Sequence, residues 1–574
     1  MRSRGFYGHD RRVSSPRARV VDQRQSRLSR RTWYPHDVRV RLASATAFFT
    51  LLAIVNSLPL ITNMSGFIGE HGDSYFSVWR LAWVAHKLPR DPLHLFDANI
   101  FYPHPATLAY SDAMLLPATV LSPLHWLHVH PVAVYNLTLL GAFVASGVAA
   151  CLLVTHLTDS FAAGLLGGVI FAFSPHRFEH FDHLELQFAF WIPLAVLAWH
   201  HAIARNRGYL GVGALAAGQV LSSIYHGMFL LLWLAVLTAV RLHATPRRAV
   251  QAGALIMAVP LLVMALYAVP YMRSRADVGE RGPTEVAGYS AVPTDFLSAP
   301  RNNRLYGWTA WLGANERHLF PGVVALALLV VGLWPPLDRT RMVHAVGLAL
   351  ALDLTLGFNG GLYHLLYGWV LPFRGLRVPA RADILVLLGT AVIAGYGLTR
   401  ITRTIHRPRL AAAVSLAVVI AASVECLAAP RLIRVPTNIS VWYGALRDRP
   451  GTVIFEWPVT VPWRLYNMLD VEYMYRSTRH WQPLLNGYSG NYPNSYIGLL
   501  YDMRSFPDTK TIAELQQRGV TVLVLHEEQG SRPSYAYALE RLVRDPSIKV
   551  IAEDREDGRR VAFLELLPAA ARAD

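Results

Sequence analysis

Three stretches of this sequence bring together residue types that can do chemistry. The first is Gly69-Glu70-His71-Gly72-Asp73-Ser74-Tyr75, where the carboxylate of Asp73 opens a run with Tyr75, Phe76, Trp79 and Trp83 at a spacing that suits a helix lying in the headgroup zone. A carboxylate there can take a proton from an attacking hydroxyl or help hold a divalent cation such as Mg or Mn. Asp is also a favoured helix N-cap, and Asp73 stands where a cap would stand. The second stretch, His176 to Gln187, has the densest set of ionisable residues beside an apolar segment. As a helix it aligns Glu179, His183 and Gln187 on one face. That face can hold a metal through Glu179 and His183, bind a sugar phosphate through His183 and Gln187, or simply be solvated. The third stretch, Phe373 to Asp383, carries Arg374, Arg377 and Arg381. Guanidinium groups bind phosphate bidentately, and an anionic lipid headgroup would satisfy them equally.

Smaller signals accompany these. Asp112 follows Tyr110 and Ser111 in the same loop as Asp73. Tyr225 and His226 lie in Ser222–Gly227, a polar break between two short apolar segments that reads as a bonded turn or as a cavity wall. Tyr488, in the polar aromatic string Asn486–Tyr492, can lean over a membrane-surface site and influence the choice of acceptor. Trp308 and Trp311 lie in the long segment 271–319; such indoles stack on sugars or simply populate a membrane interface.

The elements that must position these residues follow from composition. The chain has 574 residues, 53% hydrophobic and only 16% charged, with a mean hydropathy of +0.29. Soluble domains are about one quarter charged, so a soluble enzyme, a disordered chain and a disulfide scaffold are all excluded. About 20 apolar residues cross a bilayer. The runs predict eleven spans, at 42–62, 132–153, 161–176, 187–203, 210–224, 227–242, 250–270, 320–335, 342–358, 384–402 and 409–429. The net charge of +16 is concentrated at the start, where residues 1–41 hold twelve Arg and three Asp. That pattern predicts a cytoplasmic tail rather than a nucleic-acid footprint. Arginines recur in the short loops near 205, 245, 339 and 405. With the N-terminus inside, the polar segments 63–131, 176–186, 222–227, 271–319 and 359–383 then fall on the outer face. Residues 431–574 read as an extracytoplasmic α/β domain. Its strands are expected at 451–459 and 520–525, its helices at 511–518 and 534–544, and a hairpin at 548–567. Neither cysteine belongs to a metal or redox motif, and no phosphate-binding loop or dinucleotide fingerprint is present.

This order of features resembles the GT-C-type integral-membrane glycosyltransferases: a first span, a long outer loop with an early acid, many further spans and a C-terminal outer domain. The strings GDSYFSVWRLAW (72–83), NIFYP (99–103), FSPHRFEHFDHLELQ (173–187), SSIYHG (222–227), FRGLRVPARAD (373–383) and HWQPLLNGYSG (480–490) look like segments of a bacterial branch of that family. The resemblance implies a polytopic α-helical fold and a polyprenyl-phosphate-linked sugar donor. It also implies a glycan, lipid or protein acceptor, an inverting transfer at the outer face of the plasma membrane, and Asp73 as the first-loop acid. No adjacent acid pair stands in that loop, unlike in better-known subfamilies. A lipid-linked-glycan flippase would need inverted repeats with broken helices at the midplane, which the sequence lacks. A non-catalytic membrane scaffold would tolerate replacement of Asp73.

Overall fold

The computed structural model describes residues 35–461, 468–528, 531 and 533–568. Most of the expected basic tail, residues 1–34, lies outside the described residues. Among the described residues, eight helices are long and apolar enough to cross a membrane: Asp37–Asn56, Pro131–Thr158, Phe161–Glu179, Leu184–Arg205, Ile224–Arg241, Pro246–Val278, Pro379–Thr404 and Pro408–Glu425. The other three expected spans are helical but short, at Tyr209–Ser222, Val323–Leu333 and Arg339–Thr355. At 1.5 Å per residue these reach roughly 17–26 Å, less than the ~30 Å hydrocarbon core. Length therefore does not support the full count of eleven.

The Asp383–Thr404 helix is the centre of the bundle. It is buried along almost its whole length and packs against the helices Pro131–Thr158, Phe161–Phe173, Val323–Leu333 and Arg339–Thr355. Arg381 enters the protein interior because it lies one turn before this helix.

After the first helix, strand β1 (Phe67–Gly69) pairs antiparallel with β2 (Leu432–Arg434), placing Phe67 opposite Arg434. This ribbon ties the first loop to the chain that leaves the last helix, and it sets the start of the Gly72–Lys87 helix. That helix was expected to lie in the headgroup zone. Instead Tyr75, Phe76, Trp79 and Trp83 are all buried. Phe76, Trp79 and Trp83 stack in sequence, while Tyr75 meets Tyr475 and Trp83 meets Trp481. The C-terminal helix Met468–Ser477 packs across it, so its aromatics meet protein where lipid was expected.

The C-terminal region holds a four-stranded sheet of order β3-β4-β6-β5, with β3 at Ile454–Trp457, β4 at Val522–His526, β5 at Ile548–Glu556 and β6 at Arg559–Leu566. Strands β3 and β4 run parallel, and the remaining neighbours are antiparallel. The segments 451–459 and 520–525 thus supply the parallel pair, with β3 at one edge of the sheet and β4 inside it, and Asp557-Gly558 turns the β5–β6 hairpin. The sheet is joined to the first loop through backbone: Phe101 donates its N–H to Asn486 O, Tyr102 to Leu484 O, and Leu484 to Asn99 O.

Candidate active site

Asp73 lies in the first turn of the Gly72–Lys87 helix but does not cap it. The cap is His71, whose Nδ1 accepts the Asp73 N–H at 3.2 Å. The Asp73 carboxylate is left to meet three side chains. Oδ1 accepts the Tyr488 hydroxyl at 3.2 Å, and Oδ2 lies 3.1 Å from His71 Nδ1 and 3.3 Å from His183 Nδ1. His71 Nδ1 either accepts the backbone N–H when neutral or pairs with the carboxylate when protonated; it cannot do both. The Asp73 side chain keeps 18% of its exposure, enough for a small group to reach it. Two glycines permit this crowding. A Cβ on Gly72 would stand 3.1 Å from the Tyr488 ring, and one on Gly69 would stand 1.5 Å from Asp182 Oδ1.

The charges follow from these contacts. Burial favours the protonated form of Asp73, but the His183 charge and the His71 hydrogen bond outweigh it and hold the carboxyl below its usual range. Burial opposes charge on His183 as well. Asp73 and Glu185 overcome it and raise the imidazole to about 9, so it is an imidazolium at neutral pH. The hydrogen bond to Asp73 also raises His71.

Behind His183 runs a chain of ionic contacts. His183 Nδ1 is 3.4 Å from Glu185 Oε1. Glu185 Oε2 accepts from Arg80 at 2.8 Å, and Arg80 also donates to the Asp112 carbonyl at 2.6 Å. The Asp112 carboxylate accepts the Ile224 N–H at 2.7 Å, so it caps the Ile224–Arg241 helix from a distant loop. Next along that helix, the Tyr225 hydroxyl accepts the Arg377 N–H at 2.9 Å. The Tyr225 ring lies 5.0 Å beneath the Arg381 guanidinium. Arg381 makes a bidentate pair with Glu316, both contacts 2.8 Å. Arg381 outweighs the cost of burial and drives the Glu316 carboxyl well below its ordinary value.

Of the residues marked in the sequence, the structure thus brings Asp73, His183 and Tyr488 into one cluster. It links Asp112, Tyr225, Arg377 and Arg381 to that cluster through side-chain and backbone bonds. His226 is buried and borders a void about the size of a water molecule, shared with His176, His180 and Arg381. Arg374 stands apart, donating to the carbonyls of Tyr367 and Gly368.

The helical face expected at 176–187 does not form. The chain is helical at Pro175–Glu179, turns through 180–183 and resumes at Leu184–Gln187. Gln187 donates to the carbonyls of Arg177 and His180 (3.2 and 2.5 Å), and Arg177 donates to those of Leu186 and Gln187. Side chains satisfy the backbone that a continuous helix would have satisfied. Gln187 is therefore a latch of this turn. The expected metal pair is separated in function as well. Glu179 accepts the N–H groups of Glu316 and His318 (2.7 and 3.0 Å) and His318 Nδ1 at 2.6 Å, while His183 faces Asp73 and Glu185. His176, Glu179 and His180 do place one ligand atom each within 4.8 Å of one another, yet both Glu179 oxygens already hold the 316–318 loop. At Asp73, two imidazoles pair with the carboxylate.

Sequence reasoning missed the roles of Arg80, Glu185 and Glu316. Arg80 lay hidden among interfacial aromatics, and Glu316 within a loop of mixed charge.

Fold and site together define a membrane protein whose helical bundle carries a carboxylate–imidazole–tyrosine cluster beneath its C-terminal region. Residues 42–358, more than half of the chain, match the family described as "Domain of unknown function (DUF6311)", and the chain belongs to that family. No curated protein matches it. Among solved structures the chain is similar to the arabinofuranosyltransferase AftD from Mycobacteria, with 15% identity and a TM-score of 0.54 over 92% of this chain. It is also similar to the class 2 structure of the AftD mutant R1389S, with 13% identity and a TM-score of 0.56 over 92% of this chain. It spans 40% and 42% of those two chains. The likeness supports the GT-C-like fold expected from the sequence.

Proposed function

We propose that this protein is a membrane glycosyltransferase that moves a sugar from a polyprenyl-phosphate-linked donor to a hydroxyl of a glycan, lipid or protein acceptor. The observation that carries this reading is the ionised, partly accessible Asp73 carboxylate held against two imidazoles in a chain of AftD-like fold. Asp73 takes the proton of the acceptor hydroxyl. The freed oxygen attacks the anomeric carbon, and the bond from that carbon to the phosphate oxygen breaks. Polyprenyl phosphate leaves with the electron pair, and the sugar configuration inverts.

Charge gathers on the departing phosphate, and the His183 imidazolium is placed to offset it, with Arg377 and Arg381 behind. Tyr488 orients Asp73 from the C-terminal side. The arginines at 205, 207, 241, 247, 248, 339, 341, 400, 403, 407 and 409 lie near the helix ends away from Asp73. By the positive-inside rule that distribution supports a site at the outer face of the plasma membrane, a cytoplasmic N-terminus and an extracytoplasmic C-terminal region.

The test is transfer by purified protein supplied with radiolabelled polyprenyl-phosphate mannose, glucose or arabinose and membrane-lipid acceptors, compared with Asp73→Asn. Transfer by the native chain, lost in a variant that still folds and inserts, is the expected result. Undiminished transfer by the variant would refute the role of Asp73. Transfer only from a nucleotide sugar would refute the donor class.

A further inference from the structure

At the end of the bundle away from Asp73, the chain turns between the helices Leu184–Arg205 and Tyr209–Ser222. The Pro246–Val278 helix begins beside that turn. A Tyr209–Ser222 helix of 14 residues places this turn about 20 Å from Ser222. The two segments enclose a cavity of about 340 Å³, whose walls include Asn206, Arg207, Tyr209, Arg248, Gln251 and Leu255. None of the described residues lining it is acidic.

Each wall favours an anion. The Tyr209–Ser222 helix starts from Gly208, at φ +88°, with no side chain capping its first N–H groups. Such an end carries partial positive charge and free donors. Arg248 gives one nitrogen to the Ile203 carbonyl at 2.7 Å, while its Nε is buried without a partner. Arg207 is exposed at the mouth. Arg241, on the neighbouring helix, lies within the electrostatic reach of both Arg248 and Arg339, so the positive field extends past the cavity. The rim is apolar: Leu210 and Leu255 keep 52% and 43% of their exposure and, in a membrane-crossing chain, face acyl chains.

We propose that this cavity binds the phosphoglycerol headgroup of an anionic phospholipid. The phosphate meets Arg207, Arg248 and the uncapped helix end, and the acyl chains leave along Leu210 and Leu255. Basic pockets between spans are the usual receptors for such headgroups. A soluble phosphate would use the same cations but would gain nothing from the leucine rim, which is why the lipid is the favoured occupant.

The test uses the full-length protein exposed to vesicles of phosphatidylcholine with or without phosphatidylglycerol, then read by native mass spectrometry for retained lipid. The native chain should retain phosphatidylglycerol selectively. Replacing both Arg207→Ala and Arg248→Ala should cut that selectivity by about tenfold. Arg407→Ala with Arg409→Ala removes the same charge at the same end and should leave it intact. Leu255→Trp fills the cavity without touching charge and should also abolish retention, which guards against misfolding of the arginine variant. Equal losses in the two arginine pairs, no selectivity in the native chain, or complete displacement by inorganic phosphate would each overturn the proposal.

Discussion

Two of the acid–histidine–tyrosine sets among the described residues differ in what they leave free. At the surface of the first loop, Asp73 meets His71, His183 and Tyr488 at 3.1–3.3 Å and keeps some exposure. In the C-terminal sheet, Glu456 on β3 is fully buried and meets His526 at 2.6 Å and Tyr443 at 2.7 Å. Burial pushes the Glu456 carboxyl up to about 8, against the pull of Arg476, and pushes His526 down to about 3. The sheet set is therefore neutral and locked around one proton. The surface set is ionic, with longer contacts and a histidine whose Nδ1 has two competing uses. The same residue types serve packing in one place and are poised for chemistry in the other; solvent access and charge decide which.

The comparison breaks if neutral replacement acts alike at both acids. Asp73→Asn should lower transfer by about 10²–10⁴-fold, the usual worth of a positioned general base, with little change in thermal midpoint. Glu456→Gln mimics a carboxyl that is already protonated at neutral pH, so it should leave turnover unchanged and cost less than about 1 kcal/mol. Parallel activity and unfolding measurements on the two variants decide the matter. An active Asp73→Asn, or an inactive Glu456→Gln, would reverse the assignment.

The pair behind the surface site tests how much of its order is electrostatic. Arg381 and Glu316 are almost completely buried, with 7% and 9% of their side-chain exposure remaining. Removing one partner strands a buried charge, so Glu316→Gln should destabilise the protein by about 3–5 kcal/mol in detergent unfolding. Pairing it with Arg381→Met should recover most of that loss. No recovery would mean that the two residues act through other contacts.

The sequence made Asp73, His183 and Tyr488 legible because each sits in a polar string beside an apolar run, where ionisable groups are costly unless used. Arg381 stood out as one of three arginines in the string from Phe373 to Asp383. The connections between them were not legible. Arg80 pairs with Glu185 across 105 residues and Arg381 with Glu316 across 65, and local spacing carries no trace of such pairs. The helix expected over 176–187 failed for a related reason: its competing backbone partners, the side chains of Arg177 and Gln187, act only once the turn has folded. The aromatic helix from Tyr75 to Trp83 was assigned to lipid because its spacing cannot distinguish a membrane surface from the Met468–Ser477 helix that covers it.

A smaller effect separates charge from proton at the surface set. His183 is raised to about 9, so its imidazolium persists through neutral pH and is lost as pH rises through that value. Because it offsets charge that gathers on the departing phosphate, kcat and kcat/KM should fall above pH 9 while KM changes less. His183→Gln should lower kcat at neutral pH and remove that alkaline limb. A limb that survives in His183→Gln would belong to another group.

The smallest effect concerns Asp112, which belongs to the site's scaffold. Its carboxyl caps the Ile224 N–H, yet burial and the nearby Glu185 raise it to about 7. The folded state therefore favours the protonated acid, and the stability this group contributes is lost as pH rises through about 7. Asp112→Asn keeps an oxygen for the Ile224 N–H and removes the charge that faces Glu185. It should be neutral or slightly stabilising above pH 7, and it should flatten this part of the stability–pH curve. Asp112→Ala loses the cap and should cost about 1 kcal/mol. Unfolding of the two variants at pH 6 and pH 8 separates the contributions. If asparagine destabilised as much as alanine at both values, the negative charge itself would matter, and Asp112 would move from the scaffold into the ionic half of the comparison.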